Sequence, residues 1–557
     1  MKTGAQLLIN ALIRENVDTI FGFPGGSVIP IFDVLYDTKE IELVLTRHEQ
    51  GAVHAADGYA RSTGRVGVCM STSGPGATNM VTGIATAHMD SVPVVMISGQ
   101  VKTNLIGNDA FQESDVTGIM RAISKYTMLL KDVREIQPAV KKAFHIANTG
   151  RPGPVVIDLP VDITQQKADE MKDLKIDLPG YKPKYEGNTM QIKKAAELIN
   201  ASKMPIFYVG GGVVISGCAD LIKEAAEKAN IPVTTTMLGL GSFPETHPYA
   251  LKMLGMHGTA YANHAIMESD LVIAVGARFD DRVTGKLEEF APHAKVIHID
   301  IDPTAISKNV QVDIPIVGDA GKVMKALIPH LKEKKRTEWF RMIEEWKKEY
   351  PLSYDKESTE LMPQYVVEQI YEVSQGKAII TTEVGQNQMW AAQFYTYTAP
   401  RTFISSGGLG TMGYGFPAAI GVQKAFPDAI VVDVAGDGSI QMNIQELNTA
   451  HRLGLPINIV ILNNGYLGMV RQWQELFFDR RYSSTDLKDN PDFVRLAEAY
   501  DCRGVRVDKK EDVVPVLKEA FSSPEVWVID CLIKREENVF PMVPAGEALN
   551  RMIGGMA

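Results

Sequence analysis

Short apolar runs recur along the chain, and each is closed by Gly or Pro and followed by a stretch long enough for a helix. Clear examples are VPVVMISG at 92–99, PVVIDLP at 154–160, PIFYVGGG at 205–212 and DLVIAVG at 270–276. Strands of a parallel sheet are buried on both faces and alternate with crossover helices, so they form continuous apolar runs of this kind. The pattern predicts an α/β protein built from doubly wound parallel sheets.

Two polar stretches interrupt the alternation, at 166–190 and at about 331–364. Charge is dense there and strand-like runs are missing, so we expect linkers. The second stretch contains EWFRMIEEWKKEY, whose spaced aromatic residues predict an amphipathic helix lying on a domain surface. We therefore predict three domains, at 1–165, 190–330 and 365–540, and a C-terminal tail at 541–557.

A weak internal repeat relates the first and third predicted domains. The tripeptide Thr-Ala-His occurs at 86–88 and at 449–451, and in both places a proline stands five residues after the histidine, before an apolar run. The repeat predicts that the two domains share a topology. Chance is the alternative, because helix, turn, proline and strand follow one another in many α/β proteins.

Composition narrows the choice of partner. The 557 residues include 57 Lys and Arg against 67 Asp and Glu, a net charge of −10, without a basic cluster. The chain therefore lacks the basic charge that is expected of a nucleic-acid-binding protein, and small molecules are favoured as partners. Hydrophobic residues make up 45% of the chain, which is enough for several cores.

The cysteines and the N-terminal segment indicate a compartment. The four cysteines are far apart and form no Cys-x-x-Cys pair, which argues against a disulfide framework or a structural zinc site and fits a reducing cytoplasm. The first residues lack the basic and apolar regions of a signal peptide. No run of about eighteen apolar residues occurs, so we expect no membrane span.

Candidate chemistry lies between residues 431 and 464. Asp437 stands in a Gly-Asp-Gly turn after one predicted strand, and Asn464 ends the next. Carboxyl ends of adjacent parallel strands meet at one edge of a sheet, and carboxylate and amide oxygens suit Mg²⁺. Gly436 and Gly438 would let the backbone approach a diphosphate. The alternative is a plain surface turn followed by a left-handed Asn turn.

The 24 residues between Gly-Asp-Gly and Asn-Asn match the thiamin diphosphate signature, and further matches cover essentially the whole chain. By these residues the chain resembles the catalytic subunits of the acetohydroxyacid synthase (acetolactate synthase) family. The matching segments are FPGG at 23–26, RHEQGAVHAADGYAR at 47–61, SGPGATN at 73–79, DAFQE at 109–113, RPGPVVIDLP at 151–160, GMHG at 255–258, GARFDDRVTG at 276–285, QMWAAQ at 388–393, GGLGTMGYGFPAAIG at 407–421 and LGMVRQWQ at 467–474.

The resemblance implies an activity. Members join pyruvate, with loss of CO₂, to a second 2-oxo acid, giving 2-acetolactate from pyruvate or 2-aceto-2-hydroxybutyrate from 2-oxobutanoate, the first common step of valine, leucine and isoleucine biosynthesis. The implied cofactors are thiamin diphosphate, Mg²⁺ and FAD. Implied partners are a second copy of the chain, in a homodimer or homotetramer with sites between two subunits, and a small regulatory subunit.

The resemblance also assigns roles to residues. Glu49 would hydrogen-bond the aminopyrimidine ring, Met412 would hold the cofactor bent, and Arg282 and Trp473 would receive the second substrate. Phe111 and Gln112 would be further catalytic residues lining the site, and Gly26 a further substrate contact. The remaining thiamin diphosphate contacts are Val384, Gly385, Gln386, Asn387, Gly410, Asp437, Gly438, Ser439, Asn464, Tyr466, Leu467, Gly468 and Met469, of which Asp437, Asn464 and Tyr466 would bind the metal. The flavin contacts are Arg151, Gly211, Gly212, His257, Arg278, Asp280, Asp300 and Asp319.

Four positions depart from the pattern of the family. Asn387 stands where His is usual, Lys102 where Pro is common, Val161 where Lys is frequent and Ser27 where Ala is common. An amide can donate a hydrogen bond but carries no charge, so Asn387 predicts a shifted cofactor affinity. Lys102 lies in a segment that borders the substrate channel and binds sulfonylurea-type herbicides in relatives, so it predicts altered inhibitor sensitivity.

Other functions stay open. Within the superfamily, the alternatives are a flavin-free catabolic acetolactate synthase, a pyruvate oxidase and a glyoxylate carboligase. The segment RFDDRVTG at 278–285, together with Trp473 and Glu49, favours the biosynthetic enzyme over these three. A non-catalytic binding protein on the same scaffold is the alternative from another class, because fold alone does not assign chemistry. Intact Glu49, Met412, Asp437 and Asn464 argue against it.

Overall fold

The computed structural model describes residues 1–171 and 174–554. Residues 172–173 of the first predicted linker and 555–557 of the predicted tail lie outside the described residues. Three six-stranded sheets form the framework, and all neighbouring strands within them are parallel. The α/β prediction is confirmed. In the part of the chain that is described, no helix is long and apolar enough to cross a membrane.

The first and third sheets have the same topology. Numbered along the chain, the six strands of each are arranged in the order 2-1-3-4-6-5. In the first sheet the strands are Thr19–Gly22, Glu42–Leu45, Gly67–Ser71, Val94–Gln100, Tyr126–Leu129 and Val155–Pro160. In the third they are Ile379–Thr382, Phe403–Ile404, Val431–Gly436, Ile457–Asn463, Arg503–Val507 and Trp527–Leu532. The repeated Thr-Ala-His tripeptides precede the fourth strand of each sheet, which confirms the predicted similarity.

The middle sheet differs, with the order 3-2-1-4-5-6. Its strands are Pro205–Val209, Val233–Thr235, Ala250–Met253, Leu271–Val275, Lys295–Asp300 and Ile314–Val317. This order is the one found in dinucleotide-binding domains, where the ligand binds in the crevice at which the strand order reverses. Here the reversal lies between the first and fourth strands of the sheet, Pro205–Val209 and Leu271–Val275.

Helices cover both faces of the sheets. Those around the first sheet are Gly4–Arg14, Ile29–Tyr36, Glu49–Thr63, Pro75–Asn79, Val81–Met89, Val116–Met120, Ile136–Asn148 and Val161–Gln165. Those of the middle part are Thr189–Ala201, Gly211–Ser216, Ala219–Ala229, Ala260–Glu268, Asp281–Thr284, Ala320–Leu327 and Thr337–Glu349. Those of the last part are Pro363–Ser374, Gln386–Phe394, Gly415–Ala425, Leu447–Arg452, Gly468–Phe477, Phe493–Ala499 and Lys510–Ser522.

The helix Thr337–Glu349 forms within the second polar stretch, as its aromatic spacing predicts. Trp339 and Ile343 are buried against the middle domain, and the Trp339 indole N–H donates to the Pro205 carbonyl at 3.0 Å. Its other face carries exposed charged residues. Of the described residues 166–171 and 174–190, most have no regular structure, although Lys167–Ala168 pairs antiparallel with Lys2–Thr3.

The first and third domains contact each other through equivalent helices. Glu49–Thr63 and Gly415–Ala425 both follow the second strand of their sheet, and they cross closely at small residues. A β-carbon on Gly58 would lie 2.3 Å from the Ala418 carbonyl oxygen, and one on Gly421 would lie 1.9 Å from that of Ala55. Only glycine permits this approach. Glu49 begins one of the two helices, and Met412 lies three residues before the other.

Candidate active site

An oxygen-rich site lies at the carboxyl edge of the third sheet. Asp437 and Asn464 follow the adjacent third and fourth strands, whose register pairs Gly436 with Leu462. Asp437 is 1% exposed and Asn464 4%. Burial raises the pKa of the Asp437 carboxyl to about 6, because desolvation penalises its charge. A cation bound there would relieve that penalty.

The amide of Asn464 is oriented by its neighbours. Its Nδ2 donates to Gln386 Oε1 at 3.0 Å, and its Oδ1 accepts from the Tyr466 N–H at 3.1 Å. Close packing explains Gly468, because a β-carbon there would lie 2.1 Å from Gln386 Oε1. Carboxylate and amide oxygens are hard donors that fit Mg²⁺. Among the described residues no group of three or more His, Cys, Asp or Glu side chains could hold a metal ion.

Asn387 lies beside this site, on the helix Gln386–Phe394. Its Nδ2 donates to the carbonyl oxygens of Glu383 and Val434 at 2.9 and 2.8 Å. Carbonyl oxygens only accept hydrogen bonds, so both of them must face the amide nitrogen of Asn387 and not its oxygen. This determines the orientation of the side-chain amide. Its Oδ1 therefore points toward Gly385 and Gly436, where added β-carbons would lie 2.7 and 3.1 Å away.

A cavity of about 580 Å³ extends from the third sheet to the middle domain. This volume lies within the range of about 300–1,000 Å³ that is typical of small-molecule sites. All eight residues predicted to contact a flavin line it, as do Arg282 and Trp473. Met412, Val384, Gly385, Gly410 and Met469 line its other end. The Arg282 guanidinium lies over the Trp473 ring, 5.9 Å from the ring centroid.

The flavin candidates surround the crevice of the middle sheet. Gly212 packs against Gly276, because a β-carbon on Gly212 would lie 2.6 Å from the Gly276 α-carbon. The glycines thus allow the two crevice loops to meet, while Gly211 faces the cavity. Burial lowers the pKa of His257 to about 4, which keeps its ring neutral. Its Nδ1 has no hydrogen-bond partner among the described residues and remains available to a ligand.

Four site candidates of the first domain lie elsewhere, around the loop 72–76. Glu49 is 8% exposed and accepts a hydrogen bond from Asn79 Nδ2 at 2.9 Å. Gly74 has φ +58°, and a β-carbon there would lie 2.7 Å from the Gln112 carbonyl oxygen. Phe111 is 89% exposed. In the described single chain, the cavity lining includes none of Glu49, Gly26, Phe111 and Gln112.

Comparison with known proteins identifies the family. Three protein-family models match the chain: "Thiamine pyrophosphate enzyme, N-terminal TPP binding domain" at 2–119, "central domain" at 192–327 and "C-terminal TPP binding domain" at 383–531. Thiamine pyrophosphate is another name for thiamin diphosphate. The acetolactate synthase large subunit of Haemophilus influenzae is 48% identical over 560 residues, 99% of this chain and 98% of the relative. The chain belongs to the acetolactate synthase large-subunit family.

Two further members of the acetolactate synthase family agree. The isozyme 3 large subunit of Escherichia coli is 47% identical over 99% of this chain and 98% of the relative. The probable large subunit of Methanocaldococcus jannaschii is 50% identical over 99% and 95%. As a member of this family, the chain is a thiamin diphosphate-dependent enzyme.

Several polar residues near the candidate site could not be found from sequence. Gln472 accepts from Gln386 Nε2 at 2.9 Å and from the Val539 N–H at 2.8 Å, so it joins the helix Gly468–Phe477 to the chain leading into the tail. Glu383 accepts from the Gly413 N–H at 2.6 Å and the Phe416 N–H at 3.1 Å, beside Met412. No spacing rule links these residues, because each contact joins segments that are at least 30 residues apart in the chain.

The tail packs on the middle domain near Arg282. The Val543 N–H donates to the Met256 carbonyl at 2.8 Å, and the Lys286 N–H donates to the Glu547 carbonyl at 3.0 Å. Ala548 is buried with the apolar residues of that domain. Residues 541–554 therefore lie close to one wall of the cavity.

Proposed function

We propose that this chain catalyses the decarboxylating joining of pyruvate to a second 2-oxo acid. The product is 2-acetolactate from pyruvate and 2-aceto-2-hydroxybutyrate from 2-oxobutanoate, the first common step of branched-chain amino-acid biosynthesis. The observation that carries the proposal is the placement of Arg282 over Trp473 in the cavity that Met412 also lines. The full-length relatives named acetolactate synthase support the same reaction.

Arg282 and Trp473 would select the second substrate. A guanidinium binds a carboxylate through two parallel hydrogen bonds, so Arg282 would hold the carboxylate of the acceptor. The indole of Trp473 would contact the acceptor side chain. One methylene in an apolar pocket changes affinity by about 1–3 kcal/mol, which is enough to favour an ethyl over a methyl group. His257, neutral and buried, would add no competing charge to the cavity.

Mg²⁺ and the diphosphate would be held at the edge of the third sheet. Asp437, Asn464 and Tyr466 would supply oxygens, and Gly438, Ser439, Leu467 and Gly468 would form the adjoining walls. When bound, thiamin diphosphate supplies carbanion stabilisation. Met412 would hold its conformation, and the Glu49 carboxyl would hold and return a proton at the aminopyrimidine ring. The buried carboxyl of Asp437 supports the metal assignment.

Glu49 would reach the site of a second copy of the chain. It lies outside the cavity of its own chain, together with Gly26, Phe111 and Gln112, and Phe111 is almost fully exposed. We therefore propose a homodimer as the smallest active assembly, with a tetramer as a pair of dimers. Mixing a Glu49→Gln variant with an Asp437→Ala variant should restore turnover through shared sites. Failure to restore it after subunit exchange would place Glu49 and Asp437 in one site of one chain.

FAD would occupy the middle-domain end of the cavity. Support comes from the dinucleotide-type strand order, the eight lining candidates and the unpartnered Nδ1 of His257. The relatives are named large subunits, so we also propose a separate small regulatory subunit for this chain. The charge balance and the absence of a spanning helix in the described residues support neither nucleic acid nor membrane as a partner. We keep the cytoplasm as the proposed location.

Product analysis tests the proposal. Purified protein is mixed with pyruvate, thiamin diphosphate, Mg²⁺ and FAD, and acetolactate is quantified as acid-released acetoin. Acetolactate that disappears when FAD is stripped supports the biosynthetic enzyme. Acetolactate without flavin dependence assigns the flavin-free catabolic function, and acetyl phosphate assigns a pyruvate oxidase. No pyruvate turnover contradicts the proposal.

A further inference from the structure

Asn490, which lies 26 residues beyond Asn464 in the sequence, contacts the candidate metal ligand Asp437. The Asn490 Nδ2 donates to Asp437 Oδ2 at 2.7 Å. This contact orients the Asp437 carboxylate through its Oδ2 atom. Asn490 has no place in the Gly-Asp-Gly and Asn-Asn signature, so the sequence pattern does not indicate it.

Gln441 closes a ring of hydrogen bonds with these two residues. Its Nε2 donates to Asn490 Oδ1 at 2.9 Å and to the Asp437 backbone carbonyl at 2.8 Å. The carboxylate accepts hydrogen bonds, so the nitrogen of the Asn490 amide must face it. The Asn490 oxygen then faces Gln441, which must present its own amide nitrogen as the donor. The ring therefore holds the Asp437 side chain in one rotamer.

The segment that carries Asn490 is attached to the same edge of the sheet. The Leu467 N–H donates to the Thr485 carbonyl, and the Leu487 N–H donates to the Gly465 carbonyl, both at 2.9 Å. Leu487 also packs beside Gly438, where an added β-carbon would lie 3.2 Å from Leu487 Cδ1. Residues 485–490 thus run across the loops that contain both candidate metal ligands.

We propose that Asn490 is a positioning residue for Asp437 and, through it, sets the Mg²⁺ affinity of the site. The inference rests on the proposed function of the Asp437 and Asn464 site. Partners that orient a metal ligand typically change metal affinity by about 10–100-fold when they are removed. Gln441 acts one step further away, so its removal should have a smaller effect in the same direction.

The test measures cofactor retention as well as activity. The holoenzyme and its Asn490→Ala, Gln441→Ala and Lys488→Ala variants are dialysed against fixed thiamin diphosphate and increasing Mg²⁺, and bound thiamin diphosphate is quantified. Lys488 is an exposed residue of the same segment and serves as the matched control. We expect the half-maximal Mg²⁺ concentration to rise about 10–100-fold in Asn490→Ala and less in Gln441→Ala. Lys488→Ala should match the native protein.

Two controls separate this role from a general loss of structure. Flavin retention and the KM for pyruvate at saturating Mg²⁺ should remain at native values in all variants. An unchanged Mg²⁺ requirement in Asn490→Ala would overturn the inference while leaving the proposed function intact, and so would an equal increase in Lys488→Ala. Native protein that retains no thiamin diphosphate at any Mg²⁺ concentration would instead remove the proposed function, and the inference with it.

Discussion

The first and third domains place a buried aspartate at the same position of the last strand in chain order, but in different surroundings. Asp158 is the fourth residue of Val155–Pro160, and Asp530 is the fourth of Trp527–Leu532. Asp158 accepts hydrogen bonds from the neutral Ser98 and Gln100 side chains, at 2.7 and 3.0 Å. Burial raises its pKa to about 7.

Asp530 has a charged partner. It accepts from Arg506 Nε at 3.0 Å and from Asn463 Nδ2 at 2.8 Å. The backbone position is equivalent in the two domains, so the difference shows that the side chains on neighbouring strands determine which buried carboxylate is stabilised by charge. The two domains also contribute different parts of the candidate site. In the first domain, Glu49 and the loop 72–76 follow the second and third strands. In the third domain, the oxygen donors Asp437 and Asn464 follow the third and fourth strands.

The largest effects should separate these two halves of the candidate site. Glu49→Gln should retain thiamin diphosphate and lower kcat by about 10²–10⁴-fold, the usual contribution of a positioned acid or base. Asp437→Ala should lose retention of the cofactor itself, because the proposed metal ligand is removed. Gel filtration with cofactor quantification, beside steady-state kinetics, measures both. Equal loss of the cofactor in the two variants would contradict the division of roles.

The pH dependence of stability should reveal the raised pKa of Asp158. Because its pKa is raised by folding, Asp158 keeps in the folded state a proton that the unfolded chain releases near pH 4. The free energy of unfolding should therefore fall as pH rises from about 4 to about 7, by roughly 1.4 kcal/mol per pH unit for this group. Asp158→Asn should remove that decrease and be more stable than the native protein at pH 8.

Urea denaturation at pH 5, 6, 7 and 8 measures this difference. An exposed aspartate of the same domain, Asp33, provides the control substitution Asp33→Asn, which removes a carboxylate from the surface and not from the core. Native and Asp158→Asn profiles that run parallel would show that Asp158 is ionised in the folded protein near neutral pH.

A smaller effect should follow from removing the charged partner of Asp530. Arg506→Met leaves this buried carboxylate with Asn463 alone and should lower the free energy of unfolding by about 1–3 kcal/mol. Arg503→Met is the matched control on the same strand, because Arg503 pairs with the exposed Glu525. A surface pair of this kind contributes about 0–1 kcal/mol. Equal losses in the two variants, measured by chemical denaturation, would contradict the assignment.

The smallest effect concerns Lys102. Its φ of −57° is one that proline adopts, and its backbone N–H donates no hydrogen bond to the described residues. Lys102→Pro should therefore raise the free energy of unfolding by about 0.4–1 kcal/mol, through the unfolded state. We also predict altered inhibition by sulfonylurea-type compounds. Equal inhibition of the native and variant proteins would contradict that prediction, and a stability loss above 1 kcal/mol would contradict the backbone argument.

Sequence alone determined the α/β class, the shared topology of the first and third domains and the family. Apolar runs, Gly and Pro boundaries and the Gly-Asp-Gly to Asn-Asn spacing are local, and local patterns follow from strand and helix periodicity. Tertiary structure decided which candidates share a cavity, that Glu49 and Phe111 lie apart from it in one chain, and that Asn490 and Gln441 hold Asp437. Apart from the contact of Gln441 with the Asp437 carbonyl, these contacts join segments far apart in the chain, and packing between such segments follows no sequence periodicity.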